Sequence, residues 1–249
     1  MTYVVITVAG LSDRFNKGEQ KPALKCIYHE GDVKKTLLHS ILRKCKGCKG
    51  VIVVGGYQFS ELQKYVDSQR GGFPFEIDVV YNLFYETYGS GYSLKVGLQE
   101  CCKKKDCTEV IFAEGDLLFD EETMFSIISG RKNYLTINDE PILSKKAVAV
   151  YFNGQGEIKY LYNTEHGLFH LQEPFSAIYN SGQVWKFAEW DKAEHIIANM
   201  EETDWHGTNL KFIERFFHSV AEENVEMLKF SDWINCNTRA DYLKCKKYL

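Results

Sequence analysis

The stretch Tyr3-Val4-Val5-Ile6-Thr7-Val8-Ala9-Gly10-Leu11-Ser12-Asp13-Arg14-Phe15 sets a run of β-branched residues directly before a small polar turn. Tyr3 to Val8 has the length and composition of a buried strand. The Gly/Ser/Asp/Lys-rich segment from Gly10 to Gln20 cannot continue it, because such residues favour turns and loops over a pleated core. A buried strand that opens into a flexible loop is the first half of a βα unit.

The unit repeats outward from there. Thr36 to Cys45 carries apolar residues at Leu37, Leu38, Ile41 and Leu42, as a helix packed on a sheet would. Val51 to Val54 is the second strand, closed by Gly55-Gly56; Ser60 to Gln69 is a helix with Ser60 as its N-cap, and Ile77 to Tyr81 is the third strand. Ser93 to Cys102 is a helix with Leu94, Val96, Leu98 and Cys101 facing inward. Val110 to Ala113 is the fourth strand and runs into Glu114-Gly115-Asp116. This alternation predicts an α/β fold with a mainly parallel sheet flanked by helices. From about Asp139 the pattern changes. Ala147 to Phe152 and Ile158 to Tyr162 flank Asn153-Gly154-Gln155-Gly156, which predicts a small antiparallel extension. Trp185 to Met200 and Leu210 to Ala221 read as helices, Val225 to Phe230 as a strand and Thr238 to Tyr248 as a closing helix. No linker or repeat divides the chain, so one domain is expected, with residues 1–138 as its first half and 139–249 as its second.

The chain has 249 residues, 45% of them hydrophobic, which is enough for one large core without a metal or disulfide staple. A net charge of −4 with dispersed lysines argues against nucleic-acid binding. No apolar run approaches a membrane span, and Met1 to Ile6 lacks the features of a signal peptide, so a cytoplasmic protein without membrane insertion is expected. The eight cysteines are then expected as reduced thiols. Cys45 and Cys48, with Cys101, Cys102 and Cys107, have zinc-like spacing only if the two groups meet in space. His166 and His170 stand four apart, but Gly167-Leu168-Phe169 between them is a poor helix, and they are expected to be ordinary histidines.

In an open α/β sheet, ligands bind beyond the carboxyl ends of the strands. The loop Ala9-Gly10-Leu11-Ser12 can offer backbone N–H groups to a polyphosphate, with Arg14 and Lys21 neutralising its charge. It is neither the dinucleotide fingerprint nor a P-loop. A plain βα turn with solvated charges is the alternative. Asp116, where the fourth strand leaves the core, suits a hard cation such as Mg²⁺, which binds through one or two carboxylates plus phosphates. Capping of the next helix is its competing role, and Glu114 is expected to be a solvated side chain in preference to a second ligand.

Val5 to Phe15, followed by Lys21-Pro22-Ala23-Leu24, resembles the opening signature of nucleotidyltransferases that act on sugar phosphates, phosphocholine and related headgroups. The resemblance continues through Val51 to Tyr57, Tyr81-Asn82, Tyr88 to Leu94, Gly115-Asp116 and Trp233 to Asp241, in the family's order. Ser12 stands where the family usually has a second glycine, and Asn237 where many relatives have aspartate.

The resemblance implies a single GT-A-like domain and an Mg²⁺-dependent transfer. In it a phosphate or phosphonate oxygen of a small acceptor attacks the α-phosphorus of an NTP and pyrophosphate leaves. Arg14 and Lys21 would hold the phosphates, with Lys25 a weaker candidate, and Asp116 and Asn237 would hold the metal. The nucleotide would lie against Ala9, Gly10, Leu11 and Ser12, Gly55 and Gly56, and Gly89, Ser90 and Ser93, the last two also being candidate helix caps. CTP is favoured because Tyr81-Asn82 and Ser93-Leu94 look more like headgroup cytidylyltransferases. The acceptor would be phosphocholine, an aminoalkylphosphonate or a phosphorylated amino acid such as phosphoglutamine, for decoration of surface polysaccharide or lipid. Glu173, Tyr179 and Asn180 are its candidate contacts, with Phe175, Trp190, Trp205 and His206 as further aromatic or polar groups. A sugar-1-phosphate nucleotidyltransferase and a non-catalytic nucleotide-binding regulator remain open. A glycosyltransferase is disfavoured because Asp116-Leu117-Leu118 lacks an Asp-x-Asp motif. A homodimer is compatible with the sequence, which carries no coiled coil or apolar stripe to mark an interface.

Overall fold

Alternate residues of the first strand serve two different cores. β1 (Thr2–Thr7) sends Tyr3 and Val5 to one face of the sheet and Val4 and Ile6 to the other, and β2 (Gly50–Gly55) divides Ile52 and Val54 from Val51 and Val53 in the same way. Such two-sided burial is why these strands read as continuous apolar runs. The computed structural model describes residues 1–144, 147–162 and 169–249; His166 lies outside them.

The remaining strands are β3 (Glu76–Tyr81), β4 (Glu109–Glu114), β5 (Leu117–Phe119), β6 (Asn133–Asn138), β7 (Ala149–Asn153), β8 (Ile158–Leu161), β9 (Phe175–Phe187), β10 (Val225–Lys229) and β11 (Trp233–Asn235). The main sheet runs β10-β6-β9-β4-β1-β2-β3, with the hairpin β7-β8 attached to β9. β1 pairs in parallel with β2 and β4, β2 with β3, and β6 with β10; β9 is antiparallel to its partners. The pairing of β4 with β9 makes one sheet of both halves of the chain. β5 and β11 form a separate antiparallel pair.

The helices are α1 (Asp13–Asn16), α2 (Leu37–Lys44), α3 (Phe59–Gln69), α4 (Ser90–Cys102), α5 (Glu121–Ser129), α6 (Trp190–Asn199), α7 (Leu210–Ser219) and α8 (Arg239–Cys245). α4, α6 and α7 cover one face through Leu94, Leu98, Ala193, Phe212 and Phe216; α2, α3 and α5 cover the other through Leu38, Ile41, Leu62 and Met124. A third, smaller core of Phe15, Leu37, Leu118, Cys236, Tyr242 and Cys245 ties α1 to α8. The Arg239 guanidinium lies 3.6 Å from the Tyr28 ring centroid and 4.2 Å from that of Phe15. The loop after β1 is thereby stapled to α8.

The mixed α/β sheet and the hairpin at Asn153 match the sequence expectation. Asn153 builds that turn by accepting the amides of Gln155 and Glu157 on its side-chain oxygen. Three local expectations differ. The helix expected over Trp185 to Met200 begins at Trp190, because Trp185-Lys186-Phe187 ends β9, where Trp185 donates to the Tyr160 hydroxyl at 2.7 Å. Ser60 does not cap α3, whose N-cap is Gln58 in a left-handed conformation. β6 and α5 escaped prediction altogether. All eight cysteines are free. Cys45 and Cys48 belong to one core and Cys101 and Cys107 to the other, so the sheet separates the groups whose meeting zinc would need. Among the described residues no helix is long and apolar enough to cross a membrane.

Candidate functional site

A cavity of about 300 Å³ opens at the carboxyl ends of β1 and β4. Thr7, Val8, Ala9, Gly10 and Ser12 form one wall, Tyr85, Tyr88, Gly89, Ser90 and Ser93 another, and Lys25, Glu114, Gly115 and Asp116 complete it. The position follows from topology: β2 lies on one side of β1 and β4 on the other, so their loops diverge there.

The loop after β1 keeps a glycine-like path without the second glycine. Ser12 has φ 60° and ψ 25°, in the left-handed region, and its hydroxyl accepts the Lys25 amide at 3.4 Å. Asn16 holds the loop's return by exchanging two hydrogen bonds with Ala23, at 3.0 and 2.9 Å. The loop therefore leaves the cavity at Ser12 and re-enters it at Leu24 and Lys25.

Lys25, the weaker sequence candidate, is the lysine that faces the cavity. Its Nζ lies 2.8 Å from Asp116 Oδ2. Arg14 and Lys21 are exposed and do not line the cavity; Arg14 lies on α1, which buries Phe15 in the third core. Asp116 caps no helix; Asp120 caps α5 instead, accepting the Thr123 amide at 2.7 Å. The other oxygen of Asp116, Oδ1, is buried with no hydrogen-bond partner.

Glu114 is not the solvated side chain expected. It lines the cavity and accepts the Asn209 side-chain amide at 2.8 Å. Burial, then the adjacent Asp116 carboxylate, push its carboxyl up to about 7 against the opposing pull of Asn209 and Lys25. Asn209, on the loop before α7, carried no signal in the sequence.

The β3-α4 wall is built from close backbone packing. Gly89 and Gly91 donate to the carbonyls of His206 and Gly207 at 2.8 and 3.0 Å. A Cβ at Gly89 would meet the Gly207 oxygen at 2.2 Å, so only glycine permits the approach. Tyr88 stacks on His206 with ring centroids 3.7 Å apart. Ser93 accepts Asn82 Nδ2 at 3.0 Å instead of capping α4, and Ser90 accepts the Asn209 amide at 3.2 Å. Tyr85 and Tyr88 were missed as site residues, although they flank the small-residue loop that drew attention.

Other candidates stand elsewhere. Leu11 is 37% exposed and does not line the cavity. Gly55 is a packing position, where a Cβ would meet Leu62 at 2.3 Å. Gly56 lines a neighbouring open groove with Tyr81 and Tyr85. Glu173 anchors the β7-β8 hairpin by accepting the Tyr151 hydroxyl at 2.8 Å and Asn153 Nδ2 at 3.2 Å, and Tyr179 packs on the core from β9; neither lines a described cavity. Trp190 and Trp205 are core residues.

A second cavity, of about 170 Å³, is lined by Asn180, Trp233, Asn235, Asn237, Asp241 and Lys244 among others. Asn180 is buried, its Nδ2 donates to the Glu140 carbonyl at 3.3 Å, and its Oδ1 has no partner. Asn237 Nδ2 donates to Asn235 Oδ1 at 2.7 Å. The Cys236 amide donates to the Asp116 carbonyl at 2.8 Å, so residues flanking one backbone hydrogen bond line both cavities. Continuing the β5-β11 register, in which Asn235 faces Leu117, sets Asn237 opposite Gly115.

Comparison with known proteins bears on this arrangement. The inositol-1-phosphate CTP transferase of T. maritima is similar in structure at 16% identity, with a TM-score of 0.68 over 99% of this chain and 95% of that one. A Bacillus anthracis protein described as a glucose-1-phosphate thymidylyltransferase has 11% identity and a TM-score of 0.71 over 100% and 95%. The CTP:phosphocholine cytidylyltransferase of Streptococcus pneumoniae has 14% identity and a TM-score of 0.62 over 99% and 98%. The fold is thus the GT-A-like fold of nucleotidyltransferases. No curated protein matches the chain by sequence. A family model described as "Domain of unknown function (DUF6564)" matches residues 21–249, and the chain belongs to that family.

Proposed function

We propose that the protein is an Mg²⁺-dependent nucleotidyltransferase that moves CMP from CTP to a small phosphorylated or phosphonate headgroup. The observation that carries this reading is the lysine and carboxylate pair, Lys25 and Asp116, in a cavity at the carboxyl ends of β1 and β4. The similar solved structures named as CTP-dependent enzymes support the donor and the reaction type.

The residues fit a hard cation. Asp116 presents a buried carboxylate oxygen without a partner, and Asn237, whose amide nitrogen is engaged by Asn235, has a carbonyl oxygen to offer as a neutral second ligand. Among the described residues no cluster of three or more His, Cys, Asp or Glu is arranged for a metal. An ion there would draw its other ligands from phosphates and water, as Mg²⁺ commonly does. Bound, it would act as a Lewis acid on the phosphoryl oxygens.

The chain's own task is to hold two anions together. An acceptor oxygen, already ionised near neutral pH, forms a bond to the α-phosphorus as the bond to the β-phosphate oxygen breaks. The electron pair leaves with pyrophosphate. Lys25 neutralises charge within the cavity, and Arg14 and Lys21 supply cations from the loop that starts and ends on its wall. Backbone amides of Ala9 and Gly10 are available to phosphate, and Tyr85 and Tyr88 to the base. Asn180 would contact the acceptor in the second cavity.

The amide-lined second cavity also suits hydroxyl groups, which favours a sugar-1-phosphate acceptor as the second reading. Pyrophosphate release with Mg²⁺, each of the four NTPs and a panel of small phosphates tests both. Release confined to CTP with an amine- or amide-bearing phosphate is expected. Release with dTTP or UTP and a sugar-1-phosphate would select the second reading, and silence across the panel would favour a binding protein.

A further inference from the structure

Lys25 is paired with the carboxylate that a divalent cation would use. Its ammonium is 2.8 Å from Asp116 Oδ2, with only 16% and 19% of the two side chains exposed. The main chain of Lys25 is held by a 3-10 turn at Lys25–Ile27 and by the hydroxyl of Ser12. The ammonium, on a flexible four-carbon stem, is therefore the part that can change partners. The cavity offers it two carboxylates, Glu114 and Asp116, and open volume on the side of Ala9, Gly10 and Ser90.

Two cations on one carboxylate repel each other strongly in a partly buried site. A metal ion arriving alone meets Lys25 on the same carboxylate, and the only other carboxylate lining the cavity, Glu114, is already engaged by the Asn209 side-chain amide. A metal ion arriving with a polyphosphate brings the anion that takes up the released ammonium.

We propose that Lys25 is a resident counter-ion for Asp116, exchanged onto the nucleotide phosphates when metal and nucleotide bind together. The inference rests on the reading of Asp116 as a metal ligand. Its consequence is positive coupling: the protein binds the divalent ion poorly by itself and well as a metal–nucleotide complex, and the coupling is reciprocal.

The test uses Mn²⁺ as the probe. Free Mn²⁺ is followed by electron paramagnetic resonance for the wild type, Lys25→Met, Lys25→Arg and Asp116→Ala without nucleotide, and binding of Mn²⁺ with CTP is followed by calorimetry. Lys25→Met is expected to bind Mn²⁺ alone about tenfold more tightly than the wild type, within the usual range of coupling energies, and to bind the Mn²⁺–CTP complex more weakly. Lys25→Arg keeps the charge and should stay close to the wild type in Mn²⁺ alone. Near-wild-type circular dichroism of each variant separates this gain from carboxylates exposed by unfolding. Unchanged or weaker Mn²⁺ binding by Lys25→Met, with Asp116→Ala abolishing binding, would overturn the exchange and leave the metal site standing. No Mn²⁺ binding by any of the proteins, with or without CTP, would remove the metal site and the proposal together.

Discussion

The Cys236 amide donates to the Asp116 carbonyl at 2.8 Å, so the strand end that carries the acidic residue is fixed by a segment 120 residues further along the chain. Asp116 consequently has one rigid backbone and one unsatisfied side-chain oxygen. Replacing it with alanine should leave the fold intact and reduce pyrophosphate release roughly 100-fold or more, as the loss of several kcal/mol of transition-state charge stabilisation would require. Steady-state rates with near-wild-type circular dichroism check this; full activity of the variant would remove Asp116 from the mechanism.

Ser12 combines a left-handed backbone with a hydroxyl that accepts the Lys25 amide. Ser12→Gly relaxes the backbone while losing the hydrogen bond, and should be near neutral in stability. Ser12→Ala loses the bond and keeps the strain, and should cost about 1 kcal/mol. Urea unfolding distinguishes them, and equal losses would mean that the conformation does not matter.

Gly115 links the two carboxylates. A Cβ there would sit 2.2 Å from Val8 Cγ1 and 2.8 Å from the Thr7 carbonyl oxygen. Gly115→Ala should destabilise the protein by about 1–3 kcal/mol, the usual cost of forcing atoms into a packed interior. A thermal midpoint equal to that of the wild type would contradict the packing described.

The raised carboxyl of Glu114 gives stability a pH dependence. Below the ordinary value near 4.5 both folded and unfolded chains hold the proton, and this contribution to stability is complete. Between there and about 7 the unfolded chain releases the proton while the folded one retains it, so the contribution is lost as pH rises through about 7. Urea titrations at pH 5 and pH 8 should show a loss of order 2–3 kcal/mol that Glu114→Gln lacks. Identical pH profiles for the two proteins would contradict the environment assigned to Glu114.

Asn180 offers an unpartnered oxygen to the second cavity. Asn180→Ala should raise KM for the acceptor by the equivalent of about 1–3 kcal/mol, the usual cost of losing a hydrogen bond to a buried group, with little change for CTP. An effect on CTP alone would place the acceptor elsewhere.

Much of the first half was legible because β1, β2 and β4 are buried on both faces and so are written in β-branched residues. β6 was not, since Asn133, Thr136 and Asn138 are polar yet buried, each satisfied by particular partners such as the Ala188 amide on Asn133 and the Val184 carbonyl on Thr136. β9 hid behind its Asn-Ser-Gly-Gln centre and a tryptophan that looked helical. In the site, Asp116 and the small-residue walls could be read from strand ends. The choice of Lys25 over Lys21 could not, because loop residues have no period that tells inside from outside. Asn209 reaches Glu114 across 95 residues, a tertiary contact that no local pattern encodes.

The most direct test of nucleotidyl transfer is mass analysis of the products formed from CTP, Mg²⁺ and a panel of phosphorylated and phosphonate headgroups. The account predicts a CMP-linked acceptor in equal amount to pyrophosphate, lost in Asp116→Ala. Unchanged CTP with every acceptor, or nucleotide release without a CMP-linked product, would contradict it.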